Sequence, residues 1–136
     1  MINSGKVPGG LGAQQRTPPL SGAAAEQLAC DYLLDQGLKL LDKNFRTRRG
    51  EIDLIMQDNA VLVFIEVRFR KSAQFGSAEE SITRHKLARL TAAASAYMQR
   101  QRCSDNTLAR FDAVAISPSP NNRLGFKFNW IKNILA

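Results

Sequence analysis

The stretch Ala60 to Arg70, AVLVFIEVRFR, constrains this chain more than any other. Val61, Val63, Ile65, Val67 and Phe69 alternate onto one face of an extended segment. Leu62 and Phe64 fill the other face before it turns polar at Glu66, Arg68 and Arg70. A strand that is apolar on both faces has to be covered on both sides, so it belongs at the centre of a sheet held between other elements. Only its C-terminal end is polar, and on one face alone, so a chemical site is expected there.

The flanking sequence supplies the cover. SGAAAEQLACDYLLDQG predicts a helix over 22–36, with Ser21 as its N-cap and Gly37 as its stop. LKLLDKNFRTR reads as a strand with a bend at Asp42 to Asn44. EIDLIMQ and AVLVFIEVRFR then form a hairpin around Asp58 and Asn59. The loop KSAQFGSAEE leads into a long helix over 82–102. Its Leu87, Leu90, Ala94, Tyr97 and Met98 form a core stripe, while Lys86, Arg89, Ala93 and Arg100 share another face, either solvated or turned to phosphates. LARFDAVAIS is a buried strand, SPSPNN a turn, and RLGFKFNWIKNIL a last strand. The expected fold is α/β: a central mixed sheet flanked by helices, with the hairpin's second strand pairing in parallel with the strand after the long helix. Residues 1–20, rich in glycine and proline, read as a flexible arm, and 21–136 as one domain.

Composition removes several kinds of chemistry. Two cysteines and one histidine allow neither a disulfide framework nor a thiolate or His-rich metal centre, and a Ser/His triad would rest on His85 alone. His85 itself reads as a surface or capping residue at the start of the long helix. The N-terminus lacks the apolar core of a secretion signal, and no apolar run reaches transmembrane length, so a soluble, cytoplasmic protein without membrane partners is expected. The 19 Lys and Arg against 12 Asp and Glu leave a formal charge of +7. That surplus suits a polyanion, either nucleic acid or an anionic membrane; it also suits an acidic protein surface.

The hairpin brings carboxylates together. With Gln57 paired to Ala60, Glu51 falls opposite Glu66, and Asp53 lies diagonally from it on the same face. Crowded carboxylates repel unless a proton or a cation sits among them, and oxygen ligands at this density suit Mg2+ or Mn2+. Asp53 and Glu66, with the backbone carbonyl of Val67, are the expected metal ligands, and metal-assisted phosphodiester hydrolysis is the expected chemistry. Arg68 lies two residues beyond Glu66 on the same face and would stabilise charge on the phosphate. The plain alternative is a cross-strand ion pair between these acids and Arg68 or Arg70. Glu26, on the first helix, either reaches the cluster or faces solvent. Asp112, inside an apolar strand, needs a partner, and Arg110 is the nearest. Arg46, Arg48, Arg49, Arg70, Lys71, Arg84 and Lys86 would form a basic rim that contacts backbone phosphate. No aromatic ladder for stacking bases is visible, which favours a duplex or branched substrate over a single strand.

The run from RRGEIDLIMQ through FIEVRFR to HKLARLTAAASAYM, flanked by AEQLACDYLLDQGLKLLDKNFR and RFDAVAI, resembles the bacterial YraN family from about Ala23 onward. That family looks like the restriction-endonuclease-like superfamily, which includes archaeal Holliday junction resolvases. The resemblance implies that Asp53 is the first acid of the superfamily's site, Glu66 the second, and Arg68 the occupant of its lysine position. It also implies that Glu26 is the acid of the first helix and Lys86 the family's helix lysine. Arginine at 68 departs from the superfamily pattern, because it stays protonated and cannot accept a proton from water. Three functions stand as expectations: a Mg2+-dependent nuclease acting on DNA in preference to RNA, a noncatalytic nucleic-acid-binding protein with a degenerate nuclease site, and a structural or protein-interaction role. A homodimer is compatible with cutting two strands, although no interface signature is visible.

Overall fold

The central strand is where the alternation places it. In the computed structural model, which describes residues 21–70 and 83–135, seven elements follow one another: α1 (Gly22–Asp35), β1 (Lys39–Arg46), β2 (Glu51–Asp58), β3 (Val61–Phe69), α2 (Arg84–Arg100), β4 (Ala109–Pro118) and β5 (Phe126–Ile131). The strands form one sheet in the order β1-β2-β3-β4-β5. All neighbours are antiparallel except β3 and β4, which run parallel across the α2 connection.

The two faces of β3 part company in space as they do in sequence. Val63 and Ile65 pack with Leu54, Met56, Val114 and Ile116 beneath Ala25, Ala29, Cys30 and Leu33 of α1. Leu62 and Phe64 pack on the opposite face with Ile52 and Ile55, under Leu90, Ala93, Ala94 and Tyr97 of α2. This is the α/β core, with a mixed sheet flanked by helices, that the restriction-endonuclease-like resemblance implies.

The helix ends obey local chemistry. Ser21 Oγ accepts from the Ala24 N–H at 3.1 Å, and Thr83 Oγ1 accepts from the Lys86 N–H at 3.1 Å. Gly37, at φ +99, closes α1: its N–H donates to the Leu34 carbonyl and the Leu38 N–H to the Leu33 carbonyl, a Schellman ending that needs a left-handed residue. The cap of α2 is thus Thr83, and His85 is exposed in the first turn behind it.

Three expectations need correction. The hairpin pairs Asp58 with Val61, leaving Asn59 and Ala60 as the turn. The register is therefore two residues away from the expected one, and Glu51 pairs with Arg46 of β1 instead of facing Glu66. Asn59 takes φ +54, a left-handed conformation that asparagine tolerates well. Asp58 stays in the strand, where its Oδ2 accepts from Arg110 Nη2 at 2.9 Å. The second correction concerns Ala93, which is fully buried in the α2-side core and not on a face with Lys86 and Arg100. The third is that α2 is two residues shorter than expected at its C-terminal end, stopping at Arg100. The expected arm at 1–20, the loop after β3 with Lys71, and residue 82 lie outside the described residues.

Candidate metal and nucleic-acid site

Residues two apart on a regular strand share a face. Ile52 and Leu54 do not: Ile52 lies in the α2-side core and Leu54 in the α1-side core. The chain is therefore kinked at Asp53. Across β1 the matching irregularity is Asn44, which takes φ +52 between the Lys43–Leu54 and Phe45–Ile52 pairs. At this kink the β2–β3 pairing ends at Leu54–Ile65. The next N–H of β3 that turns toward β2, that of Val67, donates to a side chain instead: Asp53 Oδ2 accepts it at 2.8 Å. The parting of the two strands thus aims Asp53 into the gap beside Glu66.

Burial pushes the Asp53 carboxyl up to about 7. The Val67 N–H opposes the shift, and the negative fields of Glu66, Glu26 and Glu51 add to it. Glu26, half-buried in the first turns of α1, is near enough for its charge to act on Asp53. Glu51 adds its field as well, although it sits on the exposed edge with Arg46 Nε 3.8 Å from its Oε2.

Glu66 is the better-buried acid, at 8% exposure, and emerges on the α2 face. Its Oε2 meets two cations: Lys86 Nζ from α2 at 2.8 Å and Arg68 Nη1 from the same strand at 3.3 Å. One strand position further, Arg70 is half-buried, and its Nε and Nη2 have no hydrogen-bond partner among the described residues. Lys86 was legible as a basic residue of the rim and as a match to the family's helix lysine. Its direct pairing with Glu66 was not, since that depends on how α2 docks on the sheet.

The donor chemistry fits a hard divalent cation. Asp53 and Glu66 each keep one carboxylate oxygen, Oδ1 and Oε1, without a hydrogen bond among the described residues. Among the described residues, no three Asp, Glu, His or Cys side chains converge at coordinating spacing; the acids brought together here are Asp53 and Glu66.

The rest of the basic rim divides. Arg48 and Arg49 form the tip of the turn between β1 and β2, and Arg84 opens α2; all three are exposed. The turn carries a residue whose role the sequence did not announce. A Cβ on Gly50 would stand 2.1 Å from the carbonyl oxygen of Arg89, so only glycine lets this turn lie against α2. Asp112 meets its expected partner on the α1 face. It is fully buried and accepts from Arg110 Nε at 3.0 Å, from Trp130 Nε1 at 2.9 Å and from the Asn133 N–H at 2.9 Å. This network joins β4 to β5 and the chain beyond it, and is structural.

No helix of the described residues is long and apolar enough to cross a membrane. The chain is similar to a UPF0102 protein of Nitrosococcus oceani, 54% identical over 96 residues that cover 71% of this chain and 77% of the relative. A UPF0102 protein of Methylococcus capsulatus is 43% identical over 117 residues, covering 86% and 91% of the two chains. One of Vibrio campbellii is 45% identical over 116 residues, covering 85% and 91%. The model of the uncharacterised protein family UPF0102 matches residues 25–116, a span that includes both acids, Arg68 and Lys86; the chain belongs to this family, the YraN family that its motifs resemble.

Proposed function

We propose that this protein is a metal-dependent nuclease acting on DNA, with Asp53, Glu66 and the backbone carbonyl of Val67 as the ligands of Mg2+ or Mn2+ and Glu26 close by. The observation that carries the reading is geometric: where the β2–β3 ladder ends, Asp53 is held by the Val67 N–H at 2.8 Å beside the buried Glu66, and burial raises its carboxyl as expected of a functional site. When bound, the ion supplies polarisation of the phosphate and neutralises charge that gathers on it.

The remaining steps belong to the chain. Arg68 holds a planar fork of donors at the site and, once Glu66 turns to a cation, is released to a phosphate oxygen. Arginine cannot take a proton from water, and beside it the Lys86 ammonium stands 2.8 Å from Glu66. Delivered from α2, this second cation would orient water and add positive charge next to Arg68. The exposed Arg48, Arg49 and Arg84 would hold backbone phosphates, which fixes position without reading sequence.

The competing reading, a noncatalytic nucleic-acid-binding module, is favoured by one observation: Glu66 is already neutralised by two cations. The two readings separate in one experiment, which pairs calorimetric Mg2+ and Mn2+ titration of the wild type and Asp53→Asn with cleavage of linear, flapped and four-way DNA. The nuclease reading expects metal binding and cleavage by the wild type, and loss of both in Asp53→Asn with DNA affinity retained. DNA binding without metal-dependent cleavage of any of the three substrates would leave the binding module.

A further inference from the structure

The turn between β1 and β2 reads TRRG, and each residue has a distinct job. The Thr47 N–H donates to the Gly50 carbonyl at 2.8 Å. Thr47 Oγ1 accepts from the N–H groups of Arg49 and Gly50, each at 3.1 Å. Gly50 then brings the pinned turn against the backbone of α2 at Arg89. The outcome is a stiff platform holding Arg48 and Arg49 beside the outer flank of α2.

Between that platform and the helix runs an open groove of about 750 Å³. Its floor is built of small side chains, Ala88, Ala92 and Ala96, so an occupant can come close to the helix. Its cations are Arg48 and Arg49 on one wall and Arg100 at the far end, the last held over the ring of Phe45 at 5.1 Å. Ser95 and Gln99 add neutral hydrogen-bonding groups. No acid lines the groove among the described residues, and neither Arg48 nor Arg49 forms an ion pair among them. No aromatic ring lines it either, so it offers nothing on which unpaired bases could stack.

We infer that this groove is the track for the sugar-phosphate backbone of a double-stranded DNA arm. The inference rests on the nuclease reading for the neighbouring site and names the substrate class that site would take. Lys86, which meets Glu66, lies on the same helix two residues before Ala88, so the groove begins within one helical turn of the acids, on another side of α2. From Ala88 to Arg100 the helix advances about 18 Å, the length of about five base pairs of duplex. A substrate reacting at Asp53 and Glu66 thus needs an arm of that length, gripped through phosphates and without regard to sequence.

The test is the affinity of the full-length chain for a labelled duplex, measured by fluorescence anisotropy over a range of salt. Two variants alter the groove and leave the acids alone: the double variant R48Q/R49Q, and S95E, which puts a carboxylate on an exposed helix position that glutamate suits well. N121E, in the exposed β4–β5 turn, makes the same charge change elsewhere. R48Q/R49Q should lower the slope of log affinity against log salt by about 2. S95E should weaken duplex binding by about tenfold or more at low salt, with N121E shifting it by less than about twofold. Wild-type levels of binding in both groove variants would overturn the track while leaving metal-dependent cleavage, and with it the nuclease reading, intact. Absence of duplex binding by the wild type even at low salt would overturn both. Unchanged DNA affinity in S95E, together with conversion of a dimer to a monomer in sedimentation, would overturn the track by identifying a second copy of the chain as its occupant.

Discussion

Lys86 of α2 and Glu66 of β3 are joined by a 2.8 Å ion pair in which Glu66 is almost fully buried and the lysine side chain 40% exposed. The pair links the helix to the polar end of the central strand. It places an ammonium, alongside the Arg68 guanidinium, on the acid that follows Asp53 in the motif.

Lys86→Met keeps the aliphatic stem and removes the ammonium. In a cleavage assay we expect kcat to fall by about a hundredfold or more, the usual cost of removing one positioned charge from a reacting site. Duplex affinity should change by less than about tenfold, since at most one phosphate contact is lost. Lys86→Arg should restore affinity but not kcat. A loss of affinity as large as the loss of kcat in Lys86→Met would make the residue a phosphate contact only.

Asp53 couples stability to pH. Its folded-state carboxyl, at about 7, lies above the unfolded value of about 3.9. Between those values the folded chain holds a proton that the unfolded chain releases, so Asp53 makes stability fall as pH rises from about 4 to about 7, after which the penalty is constant. Asp53→Asn removes that penalty while its amide oxygen can still accept from Val67. The variant should therefore unfold at higher denaturant concentration than the wild type at pH 8, by on the order of a few kcal/mol, and show little difference at pH 4. Mg2+ should narrow the gap at pH 8 by stabilising the wild type alone. An identical pH dependence in the two chains would rule out the raised carboxyl.

Metal affinity follows from the same group. A cation must displace the proton on Asp53, so calorimetric Mg2+ or Mn2+ binding should weaken as pH falls through about 7. Between pH 8 and pH 6 we expect a loss of up to about tenfold, with a proton released on binding that is visible as a buffer-dependent heat. Affinity that is level over this range would place the ion elsewhere.

Gly50→Ala sets a Cβ against the Arg89 carbonyl, and backbone has to move to admit it. The expected cost is about 2–3 kcal/mol. Gly22→Ala, in the first turn of α1 with open space around its Cβ, should instead be neutral or stabilise by up to about 1 kcal/mol. Thermal unfolding of the two variants checks the contrast, and equal melting temperatures would refute the close approach.

Asp112→Ala leaves the Trp130 and Asn133 N–H groups without their acceptor and Arg110 with Asp58 as its remaining acid. Removing one member of a buried charged network costs about 3–5 kcal/mol, and urea unfolding followed by the fluorescence of Trp130, the only tryptophan, would report it. A change below about 1 kcal/mol would mean that solvent satisfies the freed groups.

The sequence by itself determined the elements, the two-sided burial of β3, the caps at Ser21 and Gly37, the Arg110 partner of Asp112 and the nearness of Asp53 to Glu66. Each of these follows from alternation, from residue type, or from neighbours a few positions away. What only the tertiary structure decided depends on contacts between distant segments. The hairpin register is one case, where the left-handed Asn59 and the hold of Arg110 on Asp58 moved the turn by one residue and the pairing by two. Another is the kink that turns Asp53 out of the ladder and onto the Val67 N–H, since alternation assumes a regular strand and cannot see where pairing ends. The docking of α2 is the third: it delivers Lys86 to Glu66 and holds the Gly50 turn against Arg89, because the distance between a helix and a sheet is set by the side chains packed between them and not by the order of residues along either.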